Sequence, residues 1–309
     1  MTKRREFIKK GILGAAGITM AGMELRSESI GYANDLSQMT DSPGSKMQYG
    51  LVTYLWGMNW DVPTLISNCE KIGFGAVELR TERAHGVETS LNMAQREEVR
   101  KRFADSPVLC LGYGSNFAYH FPDQALLRQN IEGTKEYIKL CHDIGATGIK
   151  VKPDALPAEV SKEKTIAQIA SSLNEVGKFA QDYNQLIRVE VHGRGTSEPA
   201  IMKAIFDQVR EPNVKICWNS NNSDMMPPGL ESNFNLLKKW FGDVVHTRAL
   251  DTTDYPHQEL FNLFAVIDYS GWLLLEAHSQ PPDELDAYKE QVYLFKIKKI
   301  RAIRNLQLI

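Results

Sequence analysis

Apolar residues along this chain fall into eight short runs separated by longer stretches of helical spacing. The runs at 48–56, 76–80, 108–112, 148–152, 186–192, 214–219, 244–249 and 272–277 predict strands. Amphipathic segments predict helices at 62–73, 94–104, 123–144, 161–183 and 285–305, with one more after each of the fifth, sixth and seventh strands. Gly73 stops the first helix, and Asp123, after Pro122, is placed to cap the third. Eight strands alternating with about eight helices imply parallel strands joined by right-handed crossovers. Eight such units in about 260 residues fit a closed (β/α)8 barrel of the α/β class better than an open sheet. No GxGxxG follows the first strand, which argues against a dinucleotide-binding sheet.

Four of the runs, at 188–193, 217–222, 245–249 and 273–278, turn polar at their C-terminal ends. Their polar residues recur at period two: Arg188, Glu190 and His192; Cys217 and Asn219; His246 and Arg248; Glu276 and His278. A strand sends alternate side chains to one face, so each set points the same way. In a parallel barrel that end of the strands carries the chemistry. Glu190, Asn219, His246 and Glu276, at similar depth, suit one divalent ion with oxygen and imidazole ligands and no sulfur. The structural alternatives are a salt bridge from the carboxylates to Arg188 or Lys152 and a hydrogen-bonded core histidine at His246. The alignment of four donors on four strands favours the metal.

Composition narrows the picture without changing it. With 309 residues, 43% of them hydrophobic, the chain can bury one large core, and a net charge of −2 gives no reason to expect nucleic acid. Cys69, Cys110, Cys141 and Cys217 lie far apart with no CxxC, and read as small buried hydrophobes instead of disulfide partners. The chain opens with a basic segment, residues 3–10, and a Gly-rich apolar run at 11–23 too short to span a bilayer. Its Arg4-Arg5-x-Phe7-Ile8-Lys9 pattern resembles the twin-arginine signal of bacteria. Residues 1–33 are therefore expected to be a signal peptide, 34–46 a disordered linker and 47–309 a single barrel domain. The expected location is outside the cytoplasm, in the periplasm, with no stable membrane anchor because no Cys follows the apolar run.

With the strands placed, 73–79 on the second, 190–193 on the fifth, 217–219 on the sixth, 246–248 on the seventh and 275–276 on the eighth carry a family pattern. The chain resembles the xylose isomerase-like TIM-barrel superfamily, in particular its sugar phosphate isomerase/epimerase group, from about Gln48 onward. The resemblance implies one divalent ion (Mn, Mg, Co or Zn) held by Glu190, Asn219, His246 and Glu276. Asn219 stands where the family usually has Asp, so the ligand charge falls from −3 to −2. Asn222 replaces a His that many epimerases carry. Glu190 and Glu276 would move a proton next to a sugar carbonyl, with His192 as acid/base or substrate donor, Lys152 (on one face with Lys150) as base or hydroxyl ligand, and Arg248 on an oxyanion or carbonyl. Glu78 is read as a group that supports a metal ligand or binds substrate, and Trp56, His120 and Trp218 as substrate-binding groups that stack on a sugar ring. The expected function is a sugar isomerase or epimerase. The alternative is a lyase or hydratase eliminating from 3-keto-glycosides, and a non-catalytic sugar-binding barrel ranks below both. The expected partner is a small sugar; self-assembly into a homo-oligomer is left open.

Overall fold

The computed structural model describes residues 41–280 and 284–308, so the signal-peptide reading of residues 1–33 lies outside the described residues. Eight parallel strands form the barrel: β1 (Gln48–Val52), β2 (Ala76–Arg80), β3 (Leu109–Ala118), β4 (Gly148–Lys152), β5 (Leu186–Glu190), β6 (Val214–Cys217), β7 (Val244–Thr247) and β8 (Trp272–Leu275). They lie in the order β6-β5-β4-β3-β2-β1-β8-β7. The seam between β6 and β7 is closed by parallel bridges at Ile216 with Phe241 and Asn219 with His246. Among the described residues, eight α-helices follow the strands: α1 (Val62–Ile72), α2 (Met93–Ala104), α3 (Gln124–Asp143), α4 (Lys162–Gln181), α5 (Pro199–Phe206), α6 (Leu230–Leu237), α7 (His257–Val266) and α8 (Asp286–Leu306). The expected (β/α)8 barrel is the observed fold.

Local chemistry sets the helix ends. Asp61 accepts a hydrogen bond from the Thr64 N–H and Gly73 closes α1 at φ 95°. Asn92 and Gln95 form a reciprocal capping box on α2. Asp123 caps α3 through the N–H groups of Ala125 and Leu126, as its place after Pro122 suggested. The buried stripes of α1 and α4, among them Leu65, Cys69, Ile169 and Leu173, pack on the outer face of the sheet. Burial of each large aliphatic side chain stabilises the fold by about 1.5–3 kcal/mol. Cys69, Cys110, Cys141 and Cys217 are all buried and unpaired, in the hydrophobe role read for them.

Boundaries differ from the expectation in three ways. β3 continues past Gly112 because that residue takes φ 142°, and an extra residue is inserted opposite the Val77–Glu78 step of β2. A Cβ at Gly112 would lie 1.7 Å from the Gly148 carbonyl oxygen, so the barrel closes there only with glycine. β1, β5, β6, β7 and β8 each end two to four residues earlier than expected, as their polar ends leave the ladder at the mouth. The last residues of the expected linker, 41–46, form turns. The Gly44 N–H donates to Asp268 Oδ1 at 2.8 Å, and Gly44 packs so closely on Ala265 that a side chain there would collide.

Candidate active site and metal centre

The barrel interior is layered. A small apolar floor contains Val52, Ala76, Leu111, Cys217, Val244, Trp272 and Leu274. Also inside the sheet, Arg188 on β5 is fully buried. Its Nε and Nη2 donate to Asp243 at 2.9 and 2.8 Å, its Nη1 to the Leu111 carbonyl and its Nη2 also to Thr147 Oγ1. Arg188 is therefore not the partner of Glu190, which lies two residues further along the same strand face.

Above this layer sit Glu78, Lys150, Glu190, His246 and Glu276, all buried. One donor atom each from Glu190, His246 and Glu276 can be chosen so that all lie within 4.8 Å of one another. His246 Nδ1 is 3.5 Å from Glu276 Oε2 and 3.8 Å from Glu190 Oε1, while its Nε2 is 3.1 Å from Glu78 Oε1. A carboxylate beside Nε2 favours the proton there and leaves Nδ1 free toward the other two carboxylates. Neither His246 nitrogen and neither Glu78 oxygen has an aligned hydrogen-bond partner among the described residues, although all four atoms are buried. Such orphaned polar atoms are costly unless something meets them, and the donor set suits a divalent ion. Burial lowers the His246 pKa, but Cys217, Glu78 and Glu276 raise it and win, leaving it well above the ordinary value. This point in the barrel attracts positive charge.

Glu190 is held from both sides. Lys150 Nζ lies 2.6 Å from its Oε2 and Asn219 Nδ2 donates to its Oε1 at 2.8 Å. Burial would raise the Glu190 pKa; the charges of Lys150 and then His246 outweigh it and hold the carboxyl well below its ordinary value. The salt bridge weighed against a metal thus exists, but Lys150 makes it and Lys152 does not. Lys152 is half-buried, and burial together with the Lys150 charge lowers its pKa. Asn219 presents its amide nitrogen to Glu190; a half-turn of the amide would present its oxygen instead.

A mouth cavity of about 520 Å³ opens over this layer, lined among others by Trp56, His192, Asn219, Arg248 and His278. His192 Nδ1 lies 3.1 Å from Asp154 Oδ1. Two short parallel segments, Asp154–Ala155 and Gly193–Arg194, pair across the mouth and fix that contact. Arg248 is pinned: Nε donates to the Ser220 carbonyl, Nη1 to Asp254 and Nη2 to Asn222 Oδ1, each at 2.7 Å. Two of its five N–H donors are left for a ligand. Trp56 donates to Ser279 Oγ at 3.2 Å and packs on Tyr288.

The remaining expected substrate groups are not on the cavity wall. Trp218 is fully buried against Phe234 and Phe241 on the helix side of the sheet, its Nε1 donating to Tyr255. Its neighbours Cys217 and Asn219 share the inner face, so period two already sends Trp218 outward, where it cannot stack on a ligand at the mouth. Glu78 is buried behind His246, out of reach of the mouth. His120 packs on Phe121 at 4.2 Å between ring centroids and lies off the cavity wall. Sequence reasoning omitted Lys150 from the site; its place on one strand face with Lys152, on the strand next to the one carrying Glu190, was the available signal.

A family profile described as xylose isomerase-like TIM barrel matches residues 66–297. Among solved structures, L-ribulose 3-epimerase superposes with a TM-score of 0.71 at 14% identity, over 85% of this chain and 97% of that one. The apo form of 3-keto-D-glucoside 4-epimerase from E. coli gives 0.68 at 13% identity, over 81% and 99%. The IolI protein with a bound zinc atom gives 0.64 at 14% identity, over 84% and 99%. At these identities the likeness is one of fold.

Proposed function

Because the chain belongs to the xylose isomerase-like TIM-barrel family, we propose that it is a metal-dependent sugar isomerase or epimerase acting on the carbon next to a carbonyl. The observation that carries this reading is the convergence of Glu190, His246 and Glu276 beneath an open, polar cavity. Sugar epimerases among the structures of the same fold support the substrate class. Glu190, His246 and Glu276 would hold a divalent ion, with Asn219 joining through its amide oxygen after a half-turn. Bound there, the ion would polarise a substrate carbonyl and acidify the adjacent C–H bond.

The protein's own groups do the rest. Glu190 and Glu276 enter from different strands, so one carboxylate can take the proton and the other, as the acid, can return one. Return to the opposite face of the same carbon is epimerisation; return to the neighbouring carbon is isomerisation. His192, steadied by Asp154, and the two free N–H groups of Arg248 orient substrate oxygens at the mouth. Elimination from a 3-keto-glycoside starts with the same proton removal and differs only in having a leaving group next to the carbanion.

The test is exchange of substrate hydrogen with deuterium from D2O, followed by NMR on free ketoses and on 3-keto-glycosides with added Mn²⁺, Mg²⁺, Co²⁺ or Zn²⁺. Deuterium should appear next to the carbonyl, with an epimer or isomer as product. No exchange on any ketose or keto-glycoside with any ion sinks the reading, and loss of an aglycone moves it to the lyase. Export belongs to the same proposal and rests on the Arg4-Arg5-x-Phe7-Ile8-Lys9 pattern. Changing Arg4 and Arg5 together to Lys should retain the protein in the cytoplasm; unchanged secretion overturns it.

A further inference from the structure

Lys150 stands at an unusual place for a cation: fully buried, 2.6 Å from one oxygen of a carboxylate that faces the metal point. A dedicated ammonium there does two things to a neighbouring dication. It occupies Glu190 Oε2, so that only Oε1 is left to face His246 Nδ1, 3.8 Å away. It also cancels charge. Glu78, Glu190 and Glu276 contribute −3, His246 and Asn219 contribute nothing when neutral, and Lys150 brings the buried set to −2. At such distances in a protein interior, one added positive charge weakens dication binding by a large factor.

We infer that Lys150 is a built-in counter-cation which holds Glu190 in its working position without a metal and keeps the divalent ion weakly bound and exchangeable. The inference rests on the metal reading above. The ammonium supplies the pairing that a buried carboxylate requires. Asn219 acts in the same sense, because its neutral amide donates to Glu190 where an Asp would repel it. The chain thus carries two adjustments, one neutral and one cationic, that both loosen the same ion.

The experiment compares the full-length folded protein with Lys150→Met and Lys150→Gln. Mn²⁺ affinity is read by competition with a fluorescent chelator, and Tm is read with and without Mn²⁺. Methionine fills the space without charge; glutamine also keeps a donor toward Glu190, so one variant remains informative if the other does not fold. Either substitution should tighten Mn²⁺ binding at least about tenfold. Each should also lower the metal-free Tm and enlarge the Tm gain on adding Mn²⁺. Unchanged or weaker Mn²⁺ binding in the folded variants overturns the role of Lys150 while leaving the metal reading intact. If neither wild type nor variant binds Mn²⁺ at millimolar concentration, both readings fall.

Discussion

Two buried charge systems lie one above the other inside this barrel, and they are built to opposite specifications. The Arg188–Asp243 pair is closed: the guanidinium reaches Asp243 twice, a carbonyl and a hydroxyl, all between 2.7 and 2.9 Å. The layer above is open. Glu78 and His246 face each other without an aligned hydrogen bond, and Glu276 sits near His246 at 3.5 Å. A saturated network holds structure, whereas an unsaturated one is stable only because the surrounding barrel fixes it, and it stays ready to bind. On the proposed function, the closed pair is scaffold and the open layer carries the chemistry.

The sharpest way to break that contrast is to neutralise a carboxylate of the open layer. Glu190→Gln or Glu276→Gln should lower the rate of solvent-deuterium exchange into substrate by about 10³-fold or more, about 4 kcal/mol in the barrier. Thermal unfolding followed in parallel should move by only a few degrees in Glu276→Gln, and by more in Glu190→Gln, which leaves the buried Lys150 without its carboxylate. An exchange rate within tenfold of wild type in both variants removes these residues from the reaction.

The closed pair should behave the other way. Arg188→Met is expected to cost about 3 kcal/mol in urea unfolding, at the low end for breaking a buried pair because Asp243 keeps access to water. The exchange rate per folded molecule should stay near wild type. A stable but inactive variant would show that the two layers are coupled instead of separate.

A third measurement separates both systems from the acid response of the fold. His257 at the start of α7 is buried, with Nε2 3.1 Å from Thr252 Oγ1, and burial first, then Lys298 and Arg248, push its pKa down to about 4. The unfolded chain therefore binds more protons between pH 6.5 and 4, and the contribution of a neutral His257 is lost as pH falls through that window. The stability difference between wild type and His257→Gln should change by about 2 kcal/mol between pH 7.5 and 5, to the disadvantage of the wild type. A constant difference across that range means His257 titrates normally.

The smallest expected effect sharpens the role of the open layer. Asn219→Asp replaces the amide that donates to Glu190 by a second carboxylate at 2.8 Å. Metal-free stability should fall by about 1–2 kcal/mol, and added Mn²⁺ should restore it with an affinity above wild type. The exchange rate should decline, because the extra negative charge reduces the pull on the developing anion. Equal metal affinity in Asn219→Asp and wild type would take Asn219 out of the metal site.

Much of this was legible before folding was considered. The strict alternation of apolar runs and helical stretches dictated the barrel, because parallel strands joined by helices have few ways to close. Period two placed Glu190, Asn219, His246 and Glu276 on inner faces at the mouth, since strand pleating depends only on position along the chain. It also contained the evidence against Trp218, which lies between two inward positions. What the chain alone could not give was who meets whom across the ring. Lys150 and Glu190 are 40 residues apart and meet at 2.6 Å. Glu78 lies behind His246 only because the barrel closes. Arg188 turns to Asp243 and not to Glu190, two residues away on its own strand. Each residue's face is a local property of the backbone and is written in the sequence. The pairing of charges inside a closed ring depends on strand register and on the seam between β6 and β7, which only the assembled barrel fixes.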